Sequence, residues 1–564
     1  MNWKIEQKID QETISKYPGL HPVILQLLVN RSIESKEEIN LFLEPKYDDS
    51  HDPFLFRDME KFVSRIRESV NSGEMVYVYG DYDADGVCSS VLMVETLRKV
   101  GVKNVDVYIP HRGYEGYGLN KHAVDFIASK GAKLIITVDC GTSNVEEIAY
   151  ARKIGLDVII LDHHEEPAEL PKDVAAFLNP HLLGETYPFK GLAAVGVVFK
   201  AVQALWRRFD LQEGHEKWFL DLVAVATVTD MMELAGENRI FVKYGIVVLN
   251  KTQRIGLQSL IKVIQARSRE LGVYEIGFMI GPRLNAAGRL DHAASAFELL
   301  EASDELKAQE LSETLNATNF TRQAETERIL KEATQQIETQ LESQKILIAV
   351  GDSWPIGVVG LVSGKITEKY YRPSLVITKT EKGLTGSGRS IPGFNITRAL
   401  KSSSDFLSRF GGHEGACGFT LKSEEVIEDF KNSMSSFVNE SIQDKDLAKK
   451  IKVDAELTFD LINFDLIKEI ESMAPFGIGN PTPKFASFGV RVDDIFLMGR
   501  EDQHMRLKLQ QNGVLLQAVG FGMGENWKGV LNEGDLIDIV YDIGINEWQG
   551  RRDIQLKIVD IKKE

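Results

Sequence analysis

Between residues 75 and 162 the chain repeats one pattern: a short run of buried-strand character, an acid just beyond it, then a stretch with helical spacing. The runs Met75–Tyr79, Leu134–Val138 and Val158–Leu161 are followed closely by Asp81, Asp139 and Asp162. Val105–Ile109 is a further strand run, and Val87–Val100 and Lys121–Lys130 carry helical patterns. Strands alternating with helices specify a parallel sheet covered on both faces. In such a sheet the carboxyl ends of the strands form the edge where ligands bind. The apolar segment Trp218–Thr229 is expected to be a buried helix that delivers Asp230.

At 564 residues the chain is too long for one ordinary core, and about three or four domains are expected at roughly 150 residues each. Residues 1–50 read as a partly helical lead-in, and 51–240 as the first α/β domain. Residues 241–345 read as a helical connector ending in a long polar helix from about Asp304 to Gln344. A second α/β unit is expected over 346–445, starting with a strand at Ile346–Val350. Beyond Lys450 the texture changes to alternating strands, among them Arg506–Leu509, Val514–Val519, Leu536–Tyr541 and Ile554–Val559. Residues 450–564 therefore suggest a barrel of about five strands of the oligonucleotide-binding type.

No secretory leader and no apolar run of membrane-spanning length is found. The three cysteines, Cys88, Cys140 and Cys417, are far apart and form no CxxC pair, which disfavours a zinc knuckle and suits a reducing cytoplasm. A net charge of −17 argues against coating duplex DNA by bulk charge. A local basic groove can coexist with that total.

Gly80-Asp81-Tyr82-Asp83-Ala84-Asp85-Gly86 matches the start of a calcium-binding loop, but the twelfth position, where a bidentate Glu is required, is Leu92. The cluster also follows a strand rather than a helix. Asp139 alone could be a helix N-cap. Asp162-His163-His164 is more specific, because adjacent histidines after a buried strand are uncommon. Together these carboxylates and imidazoles need a compensating cation. Hard oxygen and nitrogen donors favour Mn²⁺ or Mg²⁺. Two such ions about 4 Å apart would clamp a phosphodiester and lower the pKa of a bridging water.

Arg112, Arg283, Arg389 and the Ser387 hydroxyl are groups that bind phosphate oxygens. Gly386 and Gly388 would let backbone N–H groups approach an anion. Arg283 and Arg289 have the alternative of structural ion pairs. His413, in Gly411-Gly412-His413, would either contact nucleic acid or brace its loop. Tyr114 and Tyr117 could stack on bases or pack in a core, and Trp548, near Arg551 and Arg552, has the same two readings.

These motifs resemble the DHH phosphoesterase superfamily, whose triplet is Asp162-His163-His164 here. Later motifs narrow the resemblance to the RecJ family of bacterial single-strand exonucleases. They are Ile109-Pro110-His111-Arg112 running into Glu115-Gly116-Tyr117-Gly118-Leu119-Asn120, Gly281-Pro282-Arg283-Leu284-Asn285-Ala286-Ala287-Gly288-Arg289, Gly386-Ser387-Gly388-Arg389-Ser390, Gly411-Gly412-His413, and Ala474-Pro475-Phe476-Gly477-Ile478-Gly479-Asn480-Pro481. The resemblance spans residues 45–560. It implies an α/β fold: a parallel-sheet DHH catalytic domain, a long connecting helix, a second α/β DHH-associated domain and a C-terminal oligonucleotide-binding β-barrel.

For the site it implies that Asp83, Asp85, Asp139, His163 and Asp230 hold the metals, with Asp139 as the bridge. Asp81 would be a ligand or support one, and His164 would touch the scissile phosphate or orient the site. The implied cofactor is Mn²⁺ or Mg²⁺, as two ions. The implied activity is hydrolysis of single-stranded DNA from the 5′ end to mononucleotides, in DNA repair and recombination. Arg112, Tyr114, Arg283, Ser387, Arg389 and His413 would bind the nucleic acid. The implied setting is a cytoplasmic monomer, off the membrane, with a single-strand-binding protein and a helicase as partners. Two departures stand out. Where the family has Trp-His-x-Gly, this chain has Trp354-Pro355-Ile356-Gly357, so one imidazole is missing. The further C-terminal domain of some members is not expected.

Overall fold

The computed structural model describes residues 2–266, 270–380, 383–548 and 550–563. It forms two compact units, one of Ser50–Leu447 and one that joins Met1–Asp49 to Ala448–Glu564.

The chain opens with strand β1 (Asn2–Ile5) and the short helices Gln11–Lys16, Pro22–Val29 and Lys36–Leu43. In the larger unit, β2 (Met75–Gly80), β3 (Asn104–Tyr108), β4 (Ala132–Val138), β5 (Asp157–Leu161) and β6 (Ala176–Leu178) form a parallel sheet of order β3-β2-β4-β5-β6. The chain runs outward from β2 to β3, then places β4 on the other side of β2. The strand order therefore reverses between β2 and β4, the place where open α/β sheets leave a crevice. Gly80 pairs with Val138, and Val138 with Leu161. The next residues, Asp81, Asp139 and Asp162, are thus brought side by side on strands about 4.8 Å apart.

Both faces of this sheet are covered. Tyr77 and Tyr79 alternate into a cluster with Ala123, Ile127 and Ile148 from the helices Lys121–Ser129 and Val145–Lys153. The helix Ala84–Lys99 packs against Ala194–Arg208 and Leu220–Thr229. The expected long helix runs Glu305–Glu338, capped by Asp304, and buries Leu311, Leu315, Ile329, Ala333 and Ile337. It packs on Ile255–Ile264 and Gly281–Leu290 from the first half and on Ile356–Tyr370 from the second.

The second sheet comprises β7 (Leu347–Asp352), β8 (Ser374–Thr380), β9 (Gly383–Arg389), β10 (Leu407–Gly412) and β11 (Ala416–Leu421), in the order β10-β11-β9-β8-β7. This placement corrects the anion-nest reading of Gly386 and Gly388. Both lie inside β9, between antiparallel partners on either side, so the ladders take their N–H groups. A Cβ on Gly386 would sit 2.4 Å from the Phe419 ring, and one on Gly388 2.6 Å from Leu375 Cδ2. These glycines make room for the core beneath, not for an anion above.

In the smaller unit β1 pairs in parallel with β12 (Lys450–Val453). After β13 (Ala455–Glu456), the strands β14 (Phe485–Met498), β15 (His504–Gln511), β16 (Val514–Gly520), β17 (Leu536–Trp548) and β18 (Arg551–Lys563) form the run β14-β15-β16-β18-β17, and β14 pairs with β17. That last pairing closes a five-stranded barrel. β14 was hidden in the sequence because its register shifts at two points, between Ser487 and Val490 and between Val492 and Asp494, break the alternation. Residues 1–49 are more than a lead-in: Ile24, Leu25, Leu27 and Leu28 share a core with Leu507, Leu509 and Tyr541 of the barrel. Arg551 and Arg552 are exposed on β18, and the side chain of Trp548 lies outside the described residues.

Candidate metal centre

The acids converge because each sits where its element stops. Asp83 is the N-cap of the helix Ala84–Lys99, and its Oδ1 accepts from the N–H groups of Asp85 and Gly86 at 2.9 and 3.1 Å. Gly86 has to be glycine, since a Cβ there would lie 2.5 Å from the Asp81 carbonyl oxygen. Asp85 is buried, and its carboxylate accepts from the N–H groups of Ala194 and Val195 at 2.8 and 2.9 Å. Those two donors begin the helix Ala194–Arg208, an end that favours negative charge. Asp139 adopts φ 61°, a left-handed conformation that turns the chain sharply at the end of β4. Asp230 caps the C-terminal end of Leu220–Thr229, as the apolar segment implied.

His163 Nε2 lies 3.3 Å from Asp139 Oδ1 and 3.8 Å from Asp230 Oδ2. Two triads that share no residue, Asp81-Asp83-Asp139 and Asp85-His163-Asp230, each bring ligand atoms within 4.8 Å of one another. A third, Asp139-His163-His164, overlaps both.

The electrostatics show an uncompensated cluster. Burial, reinforced by neighbouring carboxylates, raises Asp81 and Asp139 well above the usual carboxylate range, Asp85 to about 7 and Asp230 to about 9. Burial, with the charge of His164, holds His163 down at about 4. Asp81 Oδ1 is buried without a hydrogen-bond partner. Such an orphaned oxygen, in a set of hard donors that repel one another, fits a divalent cation. Asp162 points elsewhere. Although burial opposes its charge, hydrogen bonds from Thr142 N–H, His163 N–H and His164 Nδ1 outweigh it and hold Asp162 below its ordinary range. The same pair raises His164, whose partner Asp162 overcomes the cost of burial.

A cleft of about 660 Å³ runs from Asp81, Asp83, Asp139, His163, His164 and Asp230 to a second wall built by Arg289, Ser387, Arg389 and His413. Arg389 donates to Ser387 Oγ at 3.2 Å and to the Gly388 carbonyl at 2.9 Å. Arg112 stacks over the Tyr82 ring at 4.9 Å. Burial, helped by Arg112 and Arg322, lowers Arg289 to about 10. Among the described residues that line it, no carboxylate of this second wall neutralises these cations.

Comparison with known proteins places these features. The profile described as DHH family, N-terminal domain matches residues 75–227, that of the DHHA1 domain 343–440, and that of the RecJ OB domain 453–560. The RecJ single-stranded-DNA-specific exonuclease of Bacillus subtilis is 38% identical over 99% of this chain and 70% of its own length. That of Haemophilus influenzae is 31% identical over 95% of this chain and 96% of its own. The chain belongs to the RecJ family. Among solved structures, RecJ from Thermus thermophilus in complex with Mn²⁺ shares the fold, with a TM-score of 0.85 at 24% identity over 100% of this chain and 80% of that one. An exonuclease RecJ bound to manganese aligns at 0.59 and 30% identity, over 68% of this chain and 95% of that one.

Within this RecJ chain the residues singled out from sequence do not all meet. Asp81, Asp83, Asp139, His163, His164, Asp230, Arg112, Ser387, Arg389 and His413 line the cleft. Asp85 stands just behind it. Arg283 does not line it: the side chain is buried and donates to Asn316 Oδ1 at 2.9 Å and to the Met279 carbonyl at 2.7 Å, a structural role. Tyr114 is 83% exposed and packs at a tilt against His111 outside the cleft, whereas Tyr117 reaches it, its hydroxyl 3.1 Å from His164 Nδ1. Sequence reasoning passed over Asn285 and Thr229, which also line the cleft. The signal for Asn285 was its place in the Gly281–Arg289 motif, where the arginines drew attention.

Proposed function

We propose that this chain is a metal-dependent exonuclease that hydrolyses single-stranded DNA from its 5′ end to mononucleotides. The observation that carries the reading is one cleft with acids and imidazoles on one wall and unneutralised arginines on the other. Mn²⁺ or Mg²⁺, as two ions, would be held by Asp83, Asp85, Asp139, His163 and Asp230, with Asp81 as a further ligand or the support of one. Bound there, they supply an activated water and offset charge on the leaving oxygen.

The chain's own residues do the rest. Asp162 at Nδ1 favours the protonated form of His164, and Nε2 would donate to an oxygen of the scissile phosphate. The Tyr117 hydroxyl, 3.1 Å from Nδ1 and 3.3 Å from Nε2, lies along the edge of that ring. Arg112, Arg389 and the Ser387 hydroxyl take the 5′ phosphate, and His413 borders it. A 5′ phosphate held there shares the cleft with the acids, so the first internucleotide bond is the one offered to them, which makes the cut exonucleolytic. The cleft lies between two α/β halves bridged by the helix Glu305–Glu338, and in this reading it takes a single strand and excludes a duplex. The barrel holds the strand by the surface that oligonucleotide-binding folds use. In this reading the enzyme works as a cytoplasmic monomer in DNA repair and recombination, beside a single-strand-binding protein and a helicase. Among the described residues no helix is long and apolar enough to cross a membrane.

The test is digestion of 5′-labelled single strand, duplex and dinucleotides with Mn²⁺. Single strands should be consumed from the 5′ end, and Asp139→Ala should lower the rate by more than about 100-fold. Equal activity of the variant would remove the mechanism, and cleavage of dinucleotides alone would remove the substrate.

A further inference from the structure

Past Ser387 and Arg389 the second sheet continues into another polar row. Thr385 of β9 pairs with Thr420 of β11, and Thr420 with Arg409 of β10. This row stands two residues along β9 from Ser387, about 6.7 Å. In the Ser387 row itself Gly418 pairs with Ser387 and Gly411 with Gly418, so beside Ser387 that row is a floor without side chains, and neither glycine has an atom within 4 Å of where a Cβ would sit. The cavity above this floor is about 560 Å³; Arg112, Arg289, Arg389 and Arg409 line it, and among the described residues no carboxylate does. It joins the metal cleft through Arg112, Arg289, Ser387 and Arg389.

A terminal phosphate carries at most about two negative charges, which two guanidiniums can match. Four guanidiniums around an open floor exceed that need. We infer that the Thr385-Thr420-Arg409 row is a second anion subsite, which takes the outer phosphates of a strand bearing a 5′-triphosphate. The inference rests on the 5′-end reading above. The α-phosphate occupies Arg112, Ser387 and Arg389, and the β- and γ-phosphates extend over Gly418 and Gly411 toward Arg409. The bond that breaks is unchanged. The oxygen of water joins the phosphorus between the first two nucleotides, the bond from that phosphorus to the 3′ oxygen of the first nucleotide breaks, and this oxygen takes up a proton. The products are a nucleoside 5′-triphosphate and a strand one residue shorter with a 5′-monophosphate.

The experiment compares one DNA oligonucleotide carrying either a 5′-monophosphate or a 5′-triphosphate, digested with Mn²⁺, with the first product identified by mass spectrometry. The triphosphate strand should release intact nucleoside triphosphate at a rate comparable with the monophosphate strand. Arg409→Ala should slow that first release by about tenfold or more, the loss of one charge-assisted hydrogen bond, and spare the monophosphate strand, which also shows that the variant is folded. A wild-type enzyme that digests the monophosphate strand but not the triphosphate strand overturns the subsite. So does equal slowing of both strands in Arg409→Ala, or pyrophosphate as the first product. Failure of the wild type on both strands overturns the exonuclease reading instead.

Discussion

Asn285 Oδ1 accepts a hydrogen bond from the backbone N–H of Ala84 at 2.8 Å. Ala84 separates Asp83 from Asp85, so a side chain from the helix Gly281–Leu290 grips the acidic turn at its middle. One turn further on, Gly288 presses against the same loop: a Cβ there would lie 2.3 Å from the Tyr82 carbonyl oxygen. The turn carries two of the proposed ligands, and groups that orient ligands are worth about 10- to 100-fold in metal affinity or activity. Asn285→Ala should therefore weaken Mn²⁺ binding by about tenfold or more, read by isothermal titration, with the far-ultraviolet circular dichroism unchanged. Unaltered affinity would show that the helix Ala84–Lys99 holds the turn by itself.

This contact marks how far the sequence could be read. Asp81, Asp139 and Asp162 were legible because each ends a hydrophobic run, and a parallel sheet has to place such ends on one edge. Asp230 was legible as the first polar residue after an apolar helix. Asn285 was not, since its partner lies 201 residues away and nothing local distinguishes it from any helical asparagine. Arg283 misled for the opposite reason: a guanidinium looks equally fit for phosphate or for Asn316, and only the fold decides. The glycines of β9 look like a loop because strand propensity is low for glycine. Phe419 and Leu375, which require them, come from other strands.

Those glycines give a paired prediction. Gly386→Ala places a methyl 2.4 Å from the Phe419 ring and should destabilise the chain by about 1–3 kcal/mol, the range for overpacking. Gly411→Ala meets no atom within 4 Å and should change stability by less than about 0.5 kcal/mol. Denaturant unfolding of the two variants distinguishes core clearance from surface space. Equal values would mean that the sheet relaxes around either methyl.

The N-terminal residues make a separate claim. Leu25 is fully buried in a core shared with Leu507 and Tyr541 of the barrel. Arg31 donates to Asn480 Oδ1 at 2.8 Å and to the Pro481 carbonyl at 2.7 Å, which ties the second of the opening helices to the Ala474–Pro481 motif. That motif therefore has a structural use in the same unit. Leu25→Ala should cost about 2–5 kcal/mol, as buried leucines do, in the denaturant-unfolding transition of this unit. A cost below about 1 kcal/mol would assign residues 1–49 a peripheral place.

The metal centre itself should announce its protons. In the metal-free chain Asp85 rises to about 7 and Asp230 to about 9, against 3.8 for an ordinary aspartate. Over that interval the folded chain holds protons that the unfolded chain has released, so stability falls as pH rises. His163 acts in the opposite sense. Held at about 4 against an ordinary 6.5, it leaves the folded chain short of a proton between those values, and stability there rises with pH. Above pH 6.5 the carboxylates remain in play, joined by His164, whose raised value acts in the same sense. The melting temperature of the chelator-treated protein should thus fall from about pH 6.5 to about pH 9. Mn²⁺ binds the deprotonated carboxylates, so its affinity should increase across the same window, and the gap between metal-loaded and metal-free melting temperatures should widen. Asp230→Asn removes the higher of these two groups and should flatten the upper part of the metal-free curve. A metal-free melting temperature that climbs through this window, or a gap that narrows, would place the compensating charge in the protein rather than in a bound cation.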